Sequence, residues 1–257
     1  MHMILAIDVG NTNIVIGCID KEKCHFIERL STVRIKTELE YAIDIKSVLD
    51  IYHICTEEIE GGIISSVVPQ ITTNIKLAAE KILKKEILVI GSGIKTGLDI
   101  RLDDPAQLGA DLVAASVAGI AEYPVPLMIF DMGTANTVCV IDREKRYLGG
   151  MIYPGLRVSL DSLTAHASQL GGISLEAPAR VIGRNTIDCM KSGMIYSAAA
   201  AMDGIIDRIQ EEMGETLTVI ATGGLAKCIV PHCRREVILD DDLLLKGLLI
   251  LYKKNKR

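Results

Sequence analysis

The chain of 257 residues has no tryptophan and only two phenylalanines, so its core cannot be organised around large rings and must come from Ile, Val, Leu and Ala. Side chains of that kind suit strands buried on both faces and covered by helices. It also lacks any C-x-x-C pair: Cys18, Cys24, Cys55, Cys139, Cys189, Cys228 and Cys233 are scattered and odd in number, which argues against a zinc knuckle and for reduced thiols in a cytoplasmic protein. No apolar run approaches the roughly 18 residues of a membrane span, and no basic leader with a cleavage site opens the chain; a membrane partner is not expected. Met1 and His2, ahead of Met3, read as a cloning remnant. Positive charge is not in excess. A net charge of −5 argues against a nucleic-acid groove, and the one basic cluster, the terminal KKNKR, reads as a solvated end. No G-x-G-x-x-G opens a helix after a strand, which argues against a Rossmann dehydrogenase.

What the sequence does have is a phrase used twice. LAIDVGNTNIVIGCID near the start and MIFDMGTANTVCVID from Met128 onward share an apolar run, Asp, any residue, Gly, small polar residues and a second apolar run ending in Asp. Aligning Asp8 with Asp131 places Gly10 on Gly133, Asn13 on Asn136 and Val15 on Val138; a later slip of one residue brings Asp20 onto Asp142. Each copy reads as a β-hairpin, with Ile4–Ile7 and Ile14–Ile19 as the strands of the first and Gly10–Asn13 as its turn. An internal repeat of one unit per half predicts two related domains, 1–120 and 121–257, with a nucleotide cleft between them. Between the repeats, strands in GGIISSVVPQ and EILVIG flank an amphipathic stretch from Ile71 to Lys84. A loop covers Gly91–Gln107, and LGADLVAASVAGIAEY is a helix stopped by Pro124 and Pro126. Downstream, GGMIYPG reads as a loop, VSLDSLTAHASQL and the long stretch through Met213 as helices, LTVIATGG as a strand, and Asp240–Tyr252 as a last helix.

Glycine followed by small polar residues between two strands exposes consecutive backbone N–H groups with no Cβ in the way, which is how a loop holds a phosphate. A strand-end Asp adds a hard oxygen ligand for Mg²⁺. One such turn is as readily an Asx-type turn, but two copies in one chain favour nucleotide binding. A third element, VIATGGLA, brings Gly223 and Gly224 to a strand end, where the chain can pass close to a flat ligand. In the order D-x-G, D-x-G, T-G-G the layout resembles the actin- and hexokinase-like ATPases, which implies an α/β fold of two ribonuclease-H-like domains.

The motifs DVGNTN, DDPAQLGAD, DMGTANT, GGMIYPG, IGRNTIDCMKSG and TGGLA, in this order, make the chain similar to the type III pantothenate kinase family, itself similar to proteins first described as accessory factors of transcription. The resemblance implies transfer of the ATP γ-phosphoryl group to the primary hydroxyl of pantothenate, giving 4'-phosphopantothenate on the route to coenzyme A. It implies ATP, Mg²⁺ and a monovalent cation, K⁺ or NH₄⁺, as cofactors, and a homodimer with the substrate pocket at its interface. Carried over by position, Asp8, Val9, Gly10, Asn11, Thr12 and Asn13 form the first phosphate loop, with Asp8 near Mg²⁺, directly or through water. Gly133, Thr134, Gly223 and Gly224 contact the nucleotide, and Asp131 binds the monovalent cation. Asp111 is the catalytic base, and Leu102, Gly109, Ala110, Asp111, Leu112 and Thr186 fall in the pantothenate pocket.

One position departs from the family. Leu112 stands where an Arg is expected to meet the pantothenate carboxylate, and Leu102 is apolar where some relatives carry Tyr. Arg101 is the first candidate to compensate. The departure keeps two alternatives open: a kinase of the same fold with a changed substrate, and a non-catalytic nucleotide-binding relative. His166 reads as a packed or surface histidine, Arg157, Arg180 and Arg184 as solvated, and Ala198–Ala201 as close helix packing.

Overall fold

The computed structural model describes residues 3–167 and 169–256, so Met1 and His2 lie outside the described residues. The chain separates into two compact units. The first comprises the chain up to Leu98, Asp103–Ala121 and the chain from Asp242 on; the second comprises Asp99–Leu102 and Glu122–Asp241. The division expected at residue 120 was linear, whereas these units are not contiguous in sequence, because the last helix supplies apolar side chains that the first sheet needs.

In the first unit, β1 (Met3–Val9), β2 (Asn13–Ile19), β3 (Cys24–Ser31), β4 (Ile59–Ser66) and β5 (Ile87–Val89) form one sheet in the order β3-β2-β1-β4-β5. β1 runs antiparallel to β2 and parallel to β4. Alternation along β1 feeds two cores. Met3, Leu5, Ile7 and Val9 pack with Tyr41, Ile45 and Leu49 of α1 (Glu38–Ile51) and with Ile71 and Ile75 of α2 (Pro69–Leu83). Ile4 and Ala6 pack with Val113 and Val117 of α3 (Ala110–Glu122) and with Leu245 and Leu248 of the C-terminal helix, Leu243–Asn255. α1 starts on a capping box: the Thr37 side chain accepts the Glu40 N–H while Glu40 Oε2 accepts the Thr37 N–H at 2.7 Å. The small residues of α3 let the last helix approach closely, and a Cβ on Gly247 would collide with the Ala114 carbonyl. The basic end is not a free tail. Lys254 donates to the Thr96 carbonyl at 3.0 Å, Lys256 pairs with Glu60 at 2.9 Å, and Arg257 lies outside the described residues.

The second unit repeats the plan with β7 (Leu127–Met132), β8 (Ala135–Ile141), β9 (Arg146–Pro154), β10 (Thr218–Thr222) and β11 (Ile238–Leu239), while β6 (Asp99–Ile100) adds to β9 at the edge. The order β11-β10-β7-β8-β9-β6 contains the same arrangement as the first sheet. Met128, Phe130 and Met132 pack with Ile195, Ala199, Met202 and Ile206 of α5 (Thr186–Met213). α4 (Leu156–His166) follows β9, the short α6 (Ala226–Ile229) follows β10, and the C-terminal helix is α7. GGMIYPG, expected as a loop, is mostly β9. Its glycines permit a strand: a Cβ on Gly150 would strike the Val138 carbonyl of the neighbouring strand.

The register moves the repeat's one-residue slip. Val9 faces Ile14 and Met132 faces Asn136, so Asn13 corresponds to Ala135 rather than to Asn136. The deletion therefore lies in the second turn. Gly10 N–H closes the first loop on the Asn13 carbonyl at 3.0 Å, and Gly133 N–H closes a shorter one on the Ala135 carbonyl at 3.3 Å.

Candidate active site

In the first unit the first glycine turn, the candidate phosphate loop, leaves the central strand after Asp8 and is braced from the end of β3. Thr32 N–H donates to the Thr12 carbonyl at 2.9 Å and Thr32 Oγ1 to the Gly10 carbonyl at 2.7 Å. Asn11, Thr12 and Asn13 are exposed, with Gly10 half-buried and Val9 buried in the core. The loop thus presents polar groups to solvent on a buried anchor. Arg34 reaches it, donating to Asn11 Oδ1 at 3.3 Å. Sequence reading missed both Thr32 and Arg34, because β3 carries little alternation and only pairing brings its end to the loop.

Asp8 lies on the same face of the sheet as Ile4 and Ala6, the face covered by α3 and α7. Asp111 stands in the first turn of α3, half-buried. Burial pushes its carboxyl above the ordinary aspartate range, and the N–H groups of Leu112, at 2.8 Å from Oδ1, and of Asp111 itself pull it part of the way back. A helix N-terminus also favours the ionised form. A carboxylate raised by desolvation is a stronger base than one in water, which suits proton removal from a hydroxyl. Gly109 makes the placement possible, since a Cβ there would meet Asp111 Oδ1 and would lie 3.8 Å from Val67. Ala110 and Leu112 flank the carboxylate, both half-buried.

In the second unit Asp131 is the last-but-one residue of β7, in register with Thr137 on β8 and Thr222 on β10. Gly223, at φ 94, closes over it: a Cβ would come 2.5 Å from Asp131 Oδ1 and 2.7 Å from the Met132 backbone, so no larger residue fits. Gly224 is exposed beside it. Gly133 and Thr134 form the short turn, held by Gly155 N–H donating to the Thr134 carbonyl at 3.0 Å. A Cβ on Gly155 would collide with the Gly133 and Thr134 carbonyls, which explains the final glycine of GGMIYPG. Thr186 is exposed at the start of α5, behind the cap Asn185, whose Oδ1 accepts the Asp188 N–H at 2.9 Å. Leu102 follows β6 and lies against Gly149. Arg101 pairs with Asp99 at 2.7 Å, both exposed. Arg180 and Arg184 line an open hollow of about 450 Å³ just before Thr186. His166 is exposed and bonded to the Ser162 carbonyl at 2.8 Å.

Two sheets of one topology, each with an Asp at the last-but-one position of its central strand before a glycine turn, give the two-unit α/β fold of the actin- and hexokinase-like class. The fold is shared with solved structures of low identity. Component A of (R)-2-hydroxyglutaryl-CoA dehydratase from Acidaminococcus fermentans matches with a TM-score of 0.57 at 15% identity, covering 100% of both chains. A conserved Baf family protein from Campylobacter jejuni matches with a TM-score of 0.58 at 20% identity, covering 98% of both chains. The sequence goes further. The family model for type III pantothenate kinase matches residues 4–208. Proteins named type III pantothenate kinase from an Exiguobacterium species and from Bacillus cytotoxicus are 45% and 43% identical; the matches cover 99% and 98% of this chain and 100% and 97% of theirs. The chain belongs to the type III pantothenate kinase family.

Proposed function

We propose that this protein transfers the γ-phosphoryl group of ATP to the primary hydroxyl of pantothenate, forming 4'-phosphopantothenate for coenzyme A synthesis. Family membership across the whole chain supplies the reaction. The observation that carries its chemistry is Asp111, a carboxylate raised by burial and held over Gly109 at a helix start.

Asp8 to Asn13 bind the phosphates through loop N–H groups and exposed amide and hydroxyl side chains, and Gly133, Thr134, Gly223 and Gly224 complete the nucleotide contacts. Asp8 is a hard oxygen donor of the kind that shares Mg²⁺ with substrate phosphates. When bound, Mg²⁺ neutralises charge on the β- and γ-phosphate oxygens. The donor set beside Asp131 fits a monovalent cation: Thr137 Oγ1 is buried with no hydrogen-bond partner among the described residues, and Thr222 flanks Asp131 on the other side. Asp111 accepts the hydroxyl proton as the acceptor oxygen bonds to phosphorus and the bond to the ADP oxygen breaks. By their place in the family's motifs, Leu102, Gly109, Ala110, Leu112 and Thr186 are the residues we assign to pantothenate. A second copy of the chain covers the exposed apolar residues Ile182, Val181 and Ile187 around Thr186, burying that side of the pocket. The seven unpaired thiols support a cytoplasmic setting. Among the described residues no helix is long and apolar enough to cross a membrane.

Leu112 supports a second reading, a kinase of the same fold acting on another hydroxy compound, because leucine offers a carboxylate neither charge nor hydrogen bond. The deciding experiment is ADP release with Mg·ATP and pantothenate in K⁺ or NH₄⁺ against Na⁺, beside Asp111→Asn. Cation-stimulated, pantothenate-dependent turnover that disappears in the variant is the expected result. Turnover appearing only with other hydroxy acids or sugars would favour the second reading.

A further inference from the structure

Ser65 is completely buried, and its Oγ has no hydrogen-bond partner among the described residues. A buried hydroxyl in that condition costs free energy that an alanine would not, and it calls for an explanation. Its neighbour shows the contrast. Ser66 Oγ bonds to Thr72 Oγ1 at 2.7 Å and accepts the Val68 N–H at 3.1 Å, so it organises the start of α2. Ser65 has no such task in the fold.

Its position is specific. Ser65 on β4 is the direct register partner of Asp8 on β1. Ile63 and Ala6 belong to the core against α3 and α7, and alternation puts Ser65 and Asp8 on that same face. Adjacent strands stand about 4.8 Å apart, too far for a direct bond between short side chains held upright. One water at about 2.8 Å from each oxygen spans such a gap. An anion is disfavoured next to Asp8, while a hydrated cation suits a carboxylate and a hydroxyl together. The second sheet repeats the arrangement with Thr222 in register with Asp131.

We propose that Ser65 is a further residue of the nucleotide-metal site, its Oγ bonding to the water shell of the divalent cation beside Asp8. The inference rests on the assignment of Mg²⁺ to Asp8.

The test compares wild type, Ser65→Ala, the nearly isosteric Ser65→Cys, and Asp8→Asn. Calorimetry would measure affinity for the non-hydrolysable analogue AMP-PNP with and without Mg²⁺, and thermal melts would follow the free proteins. Wild type should gain affinity on adding Mg²⁺ and Asp8→Asn should not. Both Ser65 variants should bind the metal-free analogue as wild type does and lose about five- to tenfold of the Mg²⁺-dependent gain, as expected for one hydrogen bond. Free Ser65→Ala should melt no lower than wild type, because no protein bond is lost. A full Mg²⁺ gain in both Ser65 variants would overturn the role of Ser65 and leave Asp8 in place. A wild type without the gain, or Asp8→Asn retaining it, would overturn both assignments. Lowered melting of both Ser65 variants would overturn the proposal by making the hydroxyl part of the fold.

Discussion

Asp111 folds its carboxylate over Gly109, close enough that a methyl group at position 109 would displace Oδ1. The proposed base is therefore placed by the absence of a side chain two residues earlier. Gly109→Ala should keep the fold and lower kcat by about ten- to hundredfold, the usual consequence of moving a reacting group by an ångström. Steady-state kinetics with an unchanged circular dichroism spectrum would check it.

The same carboxylate carries a pH signature. Burial raises its folded pKa above the ordinary aspartate value, so the acid limb of kcat/KM should lie higher than for a solvated aspartate. Asp111→Asn should lose about 10²- to 10⁴-fold in kcat. Its stability should move the other way. With the folded pKa above the unfolded one, ionised Asp111 counts against the native state at neutral pH, and this disadvantage vanishes once both states are protonated, below about pH 4. The variant should thus melt above wild type at pH 7 and alongside it in acid.

Asp20 behaves oppositely. Burial alone would raise it, but the His25 ring at 2.7 Å and the N–H groups of Lys23 and Glu22 outweigh burial and hold its pKa at about 2. An unfolded aspartate titrates near about 3.9, so ionised Asp20 favours the folded state above that pH, and the benefit is lost as pH falls towards its folded pKa. Denaturant titrations between about pH 5 and pH 2 should show a shallower loss of stability in Asp20→Asn than in wild type.

Gly223→Ala should be costly in two ways. Its φ of 94 strains any side chain, and the new Cβ would press on Asp131 Oδ1. A loss of about 1–3 kcal/mol is expected, together with a weakened response to K⁺, measured by thermal melting and by activity against K⁺ concentration.

Leu112 and Arg101 test the carboxylate-binding problem. The Arg101 side chain pairs with Asp99 in an exposed contact worth about 0–1 kcal/mol, which a ligand carboxylate can replace at little cost. Arg101→Ala should raise the KM for pantothenate with little change in the KM for ATP, and Leu112→Arg should lower it. An unchanged pantothenate KM in Arg101→Ala would remove Arg101 from the pocket.

The chain's own order of residues determined a good deal. The repeated Asp-x-Gly hairpins announced two similar sheets, because alternating apolar strands around a glycine turn have few other folded forms. The run of small residues after Asp111 announced a tightly packed helix. Much else was decided only in three dimensions. β3 and β9 have weak alternation or several glycines, and they are strands because β2 and β8 offer edges to pair with. α1 was missed although Thr37 and Glu40 mark its start, since Leu39 and Ile43 on it are exposed and blur the apolar stripe. α7 joins the first sheet across nearly the whole chain because Leu245 and Leu248 complete a core that local sequence cannot reveal. Strand register put the deletion of the repeat in its second turn and set Ser65 beside Asp8. Local patterns choose helix or strand; which side chains share a face and a site depends on pairing between segments far apart in the chain, and that is settled only when the whole core is packed.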